Sequence, residues 1–172
     1  MCFVIFQKTY PPIAIIPDVS KTVPSVAFIK IRIPKINVDT TIEYVGITEA
    51  GAMDVPKGPD EVGWYSLGTR PGDVGSAVMA GHRGWREGKS AVFDDLDKLR
   101  IGDTVEIEDD AGKIISFIVT KTRTYDKDAT VPEVFNNSEG KHLNLISCVG
   151  DWDKKTGSST KRLVVFTDMI NQ

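Results

Sequence analysis

The feature that most limits what this chain can fold into is an alternation of apolar and polar residues at period two, repeated in short runs and cut by turn residues. Phe28-Ile29-Lys30-Ile31-Arg32-Ile33 carries it most clearly. Successive side chains of an extended strand point to opposite faces, so Ile29, Ile31 and Ile33 are expected on one face and Phe28, Lys30 and Arg32 on the other. Similar runs recur at Thr41 to Val45, Val62 to Tyr65, Ala77 to Ala80, Thr104 to Glu108, Ile114 to Thr120, Leu143 to Cys148 and Arg162 to Phe166. Together they predict about eight strands. Turn signals lie between them: Arg70-Pro71-Gly72-Asp73, and Asp109-Asp110-Ala111-Gly112, which joins two strong strand patterns as a hairpin does. The acidic residues at 106–110 then form the solvated tip of that hairpin.

Helix signals are few. Ser90 to Leu99 has a candidate N-cap in Ser90, apolar residues Val92, Phe93, Leu96 and Leu99 at helical spacing, and Gly102 beyond, which predicts a helix. A second short turn is expected at Pro132 to Phe135. Many short strands with one or two short helices predict an all-β fold, a barrel or a sandwich. Pro11, Pro12, Pro17 and Pro24 favour extended backbone, so residues 1–26 read as a leader lying along a single domain of residues 27–172. The apolar run Met1 to Phe6 reads as a segment packed on the domain, with the stub of a membrane anchor as the alternative.

Composition narrows the chemistry. A net charge of −3 gives no basic field to gather nucleic acid or anionic lipid, and the two histidines and two cysteines are too few for a four-cysteine zinc site or a disulfide framework. No metal or cofactor is expected. The residues able to do chemistry cluster in the last third. Cys148 closes the run Leu143-Asn144-Leu145-Ile146-Ser147-Cys148, where a strand is expected to open into a loop. Taken alone it reads as a buried core cysteine. Arg162 opens the next strand run, and antiparallel pairing of the two runs would bring guanidinium and thiol together, favouring thiolate. His142 precedes Cys148 by six residues, on the order of 20 Å along a strand, which is too far for a base. That leaves His82, in Ala80-Gly81-His82, as the base candidate.

Ala80-Gly81-His82, then Asn144-Leu145-Ile146-Ser147-Cys148, then Arg162-Leu163-Val164-Val165, in an all-β chain, resembles the bacterial sortases. That family carries a His after a strand, a Thr-Leu-x-Thr-Cys strand end and a downstream strand Arg. Ile31-Arg32-Ile33-Pro34-Lys35-Ile36-Asn37-Val38 resembles its opening strand. Val62-Gly63-Trp64-Tyr65 and Pro71-Gly72-Asp73-Val74-Gly75 resemble its approach to the His, particularly in class E and F-like members. The resemblance covers about Phe28 to Asp168. It implies a closed β-barrel of about eight strands and a transpeptidase that cuts a Leu-Pro-x-Thr-Gly-like signal between Thr and Gly. It makes Cys148 the nucleophile, His82 the general acid and base, and Arg162 the oxyanion-stabilising group, with Ala80, Ile146, Ser147 and Val164 lining the peptide site. The segment from Thr122 to Lys141 corresponds to the substrate-covering loop.

The partners implied are a sorting-signal peptide and an amine acceptor, a peptidoglycan precursor or a pilin lysine, at the outer face of a bacterial membrane. Any membrane contact would run through an anchor this chain lacks. Asn144 and Ser147 replace the two threonines of the signature. The same residues would serve a thiol hydrolase, whereas the L,D-transpeptidases place a His a few residues before the Cys, which this chain does not. A non-catalytic peptide-binding barrel is the alternative of another class.

Overall fold

A computed structural model describes residues 27–155 and 157–170, so the expected leader lies outside the described residues. The chain runs β1 (Phe28–Ile33), β2 (Val38–Val45), β3 (Val62–Tyr65), β4 (Gly75–Ala80), β5 (Thr104–Asp109), β6 (Ile114–Asp126), α1 (Pro132–Phe135), β7 (Lys141–Asp153) and β8 (Ser158–Met169). The strands close into a barrel in the order β1-β2-β3-β4-β7-β8-β6-β5, leaving no unpaired edge to be satisfied by another chain. Most neighbours are antiparallel, but β2 pairs parallel with β3, and β4 parallel with β7. The second of these parallel pairings joins strands far apart in sequence and is the one that matters for the site.

The interior holds Ile31, Ile33, Val105, Ile107, Phe117, Leu143, Leu145 and Val165, essentially free of solvent. A second apolar cluster, with Val78, Ala80, Ile146, Val164 and Phe166, is covered by Val131 and Val134 from the segment between β6 and β7. This is why Leu143 to Cys148 is buried at every position, unlike a strand with one wet face.

Away from Cys148, the structure differs from the sequence reading at four places, each for a local reason. In β1 the alternation breaks: a register irregularity against β5 between Phe28 and Lys30 turns Phe28 into the core and leaves Ile29 43% exposed. Residues 90–99 form turns and one 3-10 turn at Leu96–Lys98 in place of the expected helix. Their amides reach back three residues and not four, Asp94 to Ala91, Leu96 to Phe93, Lys98 to Asp95 and Leu99 to Leu96, while Val92 and Phe93 bind the Pro59 and His82 carbonyls. The apolar residues nevertheless reach the interior, where Phe93, Leu96 and Leu99 are buried. Strand β6 runs on to Asp126, which shortens the covering segment to residues 127–140. Finally, Asp109 at the β5–β6 turn is 5% exposed, and its carboxylate accepts from the amides of Ala111 and Lys113. The hairpin tip is therefore internally bonded, not simply solvated.

Gly81 links this packing to the chemistry. A Cβ there would lie 2.4 Å from the Phe93 ring, inside any tolerable contact. Gly81→Ala is therefore expected to destabilise the protein by about 1–3 kcal/mol through overpacking, seen as a lower urea midpoint with an unchanged slope.

Candidate active site

Three adjacent strands bring the chemistry-bearing residues into one row. In the β7–β8 ladder Cys148 and Arg162 are Cα partners, so their side chains leave the same face of the sheet. In the parallel β4–β7 ladder Ala80 stands opposite Ile146, and the Gly81 amide donates to the Ile146 carbonyl at 3.1 Å. His82 follows two residues beyond the end of β4, as Cys148 follows Ile146 by two on β7. Ser147 secures the junction, its hydroxyl donating to the Gly81 carbonyl at 3.1 Å. Cys148 does not end its strand as the sequence suggested, because β7 continues to Asp153 through an irregularity between Val149 and Trp152. The cysteine thus sits inside a rigid ladder whose onward course bends just after it.

His82 is 5% exposed. Its Nε2 lies 2.7 Å from the Pro56 carbonyl oxygen, which can only accept, so Nε2 carries the proton and Nδ1 the lone pair. Trp85 meets the imidazole edge-on at 4.8 Å between centroids. Burial is the main influence on the ring and pushes its pKa below the usual value, while the Pro56 contact acts in the opposite direction. The ring is thereby held neutral and able to accept a proton near pH 7.

Arg162 is the largest fully buried side chain among the described residues, at 0% exposure. Its Nη1 donates to the carbonyls of Ser159 and Lys161 at 2.8 and 2.9 Å, and its Nη2 to the Ser158 hydroxyl at 2.9 Å. The turn into β8 therefore holds the guanidinium in one orientation. Burial lowers its pKa from the ordinary value, with Asp128 opposing, and an arginine so lowered still stays charged. Cys148 itself is 4% exposed.

Around this row the structure groups Ala80, Ile146 and Val164 in one apolar cluster beneath Val131 and Val134. Asn144, one of the two departures from the signature, reaches that cover: its Nδ2 donates to the Val134 carbonyl at 2.7 Å. Tyr125 and Lys121 of β6 bind Glu133 of α1 from the other side. Burial, then the bond to Glu133, drives the Tyr125 phenol up to about 12, and the Tyr125 hydroxyl holds the Glu133 carboxyl below the usual range. His142 takes no part in the row, its Nδ1 lying 2.7 Å from Asp168 Oδ1. Two cavities flank the row. One, of about 730 Å³, includes Cys148, Gly150, Ser159, Arg83 and Asp97 in its lining. The other, of about 430 Å³, includes His82, Pro56 and Trp85.

Ser158, Pro56, Trp85 and the α1 valines were not legible beforehand. Ser158 and Pro56 act through a hydroxyl and a carbonyl whose value depends on what folds against them, and no spacing rule marks them.

The sequence matches the family model of the sortase domain over residues 31–170. No curated protein matches it in sequence. Among solved structures it is similar to sortase C-1 from Actinomyces oris, with a TM-score of 0.66 and 21% identity over 83% of this chain and 73% of that one. A sortase D5 transpeptidase from Clostridium perfringens gives a TM-score of 0.63 at 23% identity, over 84% and 79% of the two chains. Sortase C1 from Streptococcus agalactiae, in complex with MTSET, gives 0.65 at 24%, over 85% and 70%.

Two measurements check this geometry. In an ultraviolet titration, the difference between wild type and Tyr125→Phe should place the Tyr125 transition at about 12, and Glu133→Gln should move it down. His82 binds fewer protons folded than unfolded below pH 6.5, so its burial costs stability on acidification and nothing above that pH. The drop in unfolding free energy from pH 7.5 to below 6 should accordingly be smaller in His82→Gln than in wild type.

Proposed function

Because the chain belongs to the sortase family of cell-surface cysteine transpeptidases, we propose that it cleaves a Leu-Pro-x-Thr-Gly-like signal between Thr and Gly and passes the acyl group to an amine. The observation that carries this reading is the Cys148–Arg162 pair of the β7–β8 ladder with His82 two residues beyond the end of β4, the strand paired to the other edge of β7. The Cys148 thiol passes its proton to the His82 Nδ1 lone pair, the thiolate attacks the threonyl carbonyl, and negative charge gathers on the carbonyl oxygen. Arg162, fixed by Ser158 and two carbonyls, meets that charge without having to reorganise, which is where a preorganised donor lowers the barrier most. The C–N bond then breaks, His82 gives its proton to the leaving glycyl amine, and a thioacyl group remains on Cys148. The incoming amine loses its proton to His82 and displaces the sulfur.

Ala80, Ile146 and Val164 supply the apolar floor for the signal, and Val131 and Val134 its cover. Ser147 serves the site by tying β7 to the glycine before His82. The acceptor is an amine of the cell wall or a pilin, and the enzyme works on the extracytoplasmic side of the membrane. Among the described residues no helix is long and apolar enough to cross a membrane.

The test is mass spectrometry of reduced protein with a library of such peptides, with and without an amine. An adduct on Cys148 that moves to the amine is the expected result, and an adduct released only to water would identify a hydrolase. Cys148→Ala should abolish turnover altogether. Arg162→Lys should keep the far-ultraviolet dichroism of the wild type and lose about 10²-fold or more in kcat, the usual scale for one oxyanion donor.

A further inference from the structure

We propose that the substrate groove runs on past its apolar floor into a further cavity, and that this cavity takes a carboxamide side chain, Asn or Gln, two residues ahead of the Leu of the signal. This rests on the reading above, in which Cys148 attacks the threonyl carbonyl and Ala80, Ile146 and Val164 carry the residues before it.

The ladders fix where the cavity lies. Partners across β4, β7 and β8 share a face, so Ala80, Ile146 and Val164 form one row, Val78, Asn144 and Phe166 the next, and Ser76, His142 and Asp168 the one after. The cavity, of about 310 Å³, takes in Ser76, Asn144 and Asp168 from the last two rows and Glu133 from the cover. Along β7, Asn144 stands four residues and His142 six before Cys148, about 13 and 20 Å at the rise of a strand. An extended peptide with its Thr at Cys148 and its Leu on the floor climbs at nearly the same rise. Its side chains alternate, so the residue just ahead of Leu faces away and the one before that faces the barrel again. That residue is five ahead of Thr, about 17 Å away, between the Asn144 and Ser76 rows.

The chemistry of the lining names the side chain. Its charged groups are already matched: Lys121 Nζ lies 3.3 Å from Glu133 and over the Phe166 ring, Tyr125 binds the other Glu133 oxygen, and His142 holds Asp168 at 2.7 Å. The Thr120 hydroxyl goes to the Phe166 carbonyl, and the Asn137 side chain to His142 and the Glu139 amide. What remains is neutral. The Ser76 hydroxyl and Asn144 Oδ1, in residues 2% and 1% exposed, have no hydrogen-bond partner among the described residues. Asn144 has spent its Nδ2 on the Val134 carbonyl, so the atom left over is an acceptor. Buried polar atoms are nearly always paired, and two orphans on one cavity call for a ligand that donates to one and bonds the other. A carboxamide does both at once, its N–H going to Asn144 Oδ1 and its oxygen accepting from Ser76, one row away on the diagonal of the ladder. A carboxylate has no proton for Asn144 and meets Asp168 and Glu133 with like charge. An ammonium finds both carboxylates already paired. An alkyl side chain leaves both orphans as they are.

The experiment has two arms. The first measures acylation of Cys148 by mass spectrometry, using the best-cleaved signal of the library with the residue two ahead of Leu set to Gln, Asn, Ala, Leu, Asp or Lys. Gln or Asn should exceed Ala roughly tenfold in kcat/KM, the scale of one or two buried hydrogen bonds, with Asp the poorest. Ser76→Ala removes a hydroxyl without a partner, so the thermal midpoint should hold while the Gln advantage over Ala shrinks to about threefold or less. Equal rates for all six peptides, a Leu or Lys peptide cleaved fastest, or a Gln advantage that Ser76→Ala leaves intact overturns the proposal. The second arm needs no turnover. The Asn144 side-chain amide resonance of isotope-labelled Cys148→Ala protein is followed during titration with acetyl-Gln-Gly-Leu-Pro amide and with its Ala-Gly-Leu-Pro counterpart. It should shift with the first alone, and equal or absent shifts overturn the proposal. If no peptide acylates Cys148, the reading above falls, and the second arm still decides whether the cavity takes a carboxamide.

Discussion

Everything functional in this molecule depends on one strand being hydrogen-bonded on both edges in a fixed register. β7 pairs parallel with β4 and antiparallel with β8, and only that combination sets His82 and Arg162 on either side of Cys148. Slipping either ladder by one residue would turn the whole set to the opposite face. What resists the slip is burial on both faces: Leu143 and Leu145 are locked in the interior while Ile146 is held under the α1 cover. Barrel closure adds to this, because a strand in a closed ring cannot shift against one neighbour without shifting against the next.

Burial also sets the electrostatics of the row. His82 and Arg162 both lie almost out of water, so both lose hydration that would favour their charged forms. The two respond differently because of their intrinsic basicity. The histidine, with a usual pKa near 6.5, is pushed to neutrality at physiological pH, whereas the arginine starts so high that it keeps its charge. A neutral base and a permanent cation on either side of one sulfur suit a reaction in which a proton must move and an oxyanion must be met.

The cover over the apolar floor is held from two sides by different chemistry. Asn144 binds a backbone carbonyl of α1, and Tyr125 with Lys121 binds the Glu133 carboxylate. Asn144 stands where the family signature has a threonine. In the folded chain its extra length spans the gap to the Val134 carbonyl. The departure from the family signature is thus met by a local contact, and α1 is anchored to the strand that bears Cys148.

Short runs bounded by turn residues were enough to find all eight strands, some by an alternation that reports which side is dry, as in β5, and others, such as β3, β4 and the buried part of β7, by continuous apolar character, and the ordered His82, Cys148 and Arg162 were enough to name the family. In place of the helix expected at 90–99 the chain forms turns bonded three residues back, with Val92 and Phe93 tied to the Pro59 and His82 carbonyls from elsewhere in the chain, and periodicity along one segment does not show such ties. The face of Phe28 was misjudged because an irregularity against β5 is invisible to a pattern read along one strand. For the same reason the parallel union of β4 with β7, the Pro56 carbonyl that sets the His82 tautomer, and the Ser159 and Lys161 carbonyls that orient Arg162 could not be read in advance. Local sequence determines which residues alternate, turn and carry reactive groups. Which backbone atom ends up beside a ring nitrogen or a guanidinium is decided only when distant segments close into one barrel, since those partners have no side-chain identity for the sequence to display.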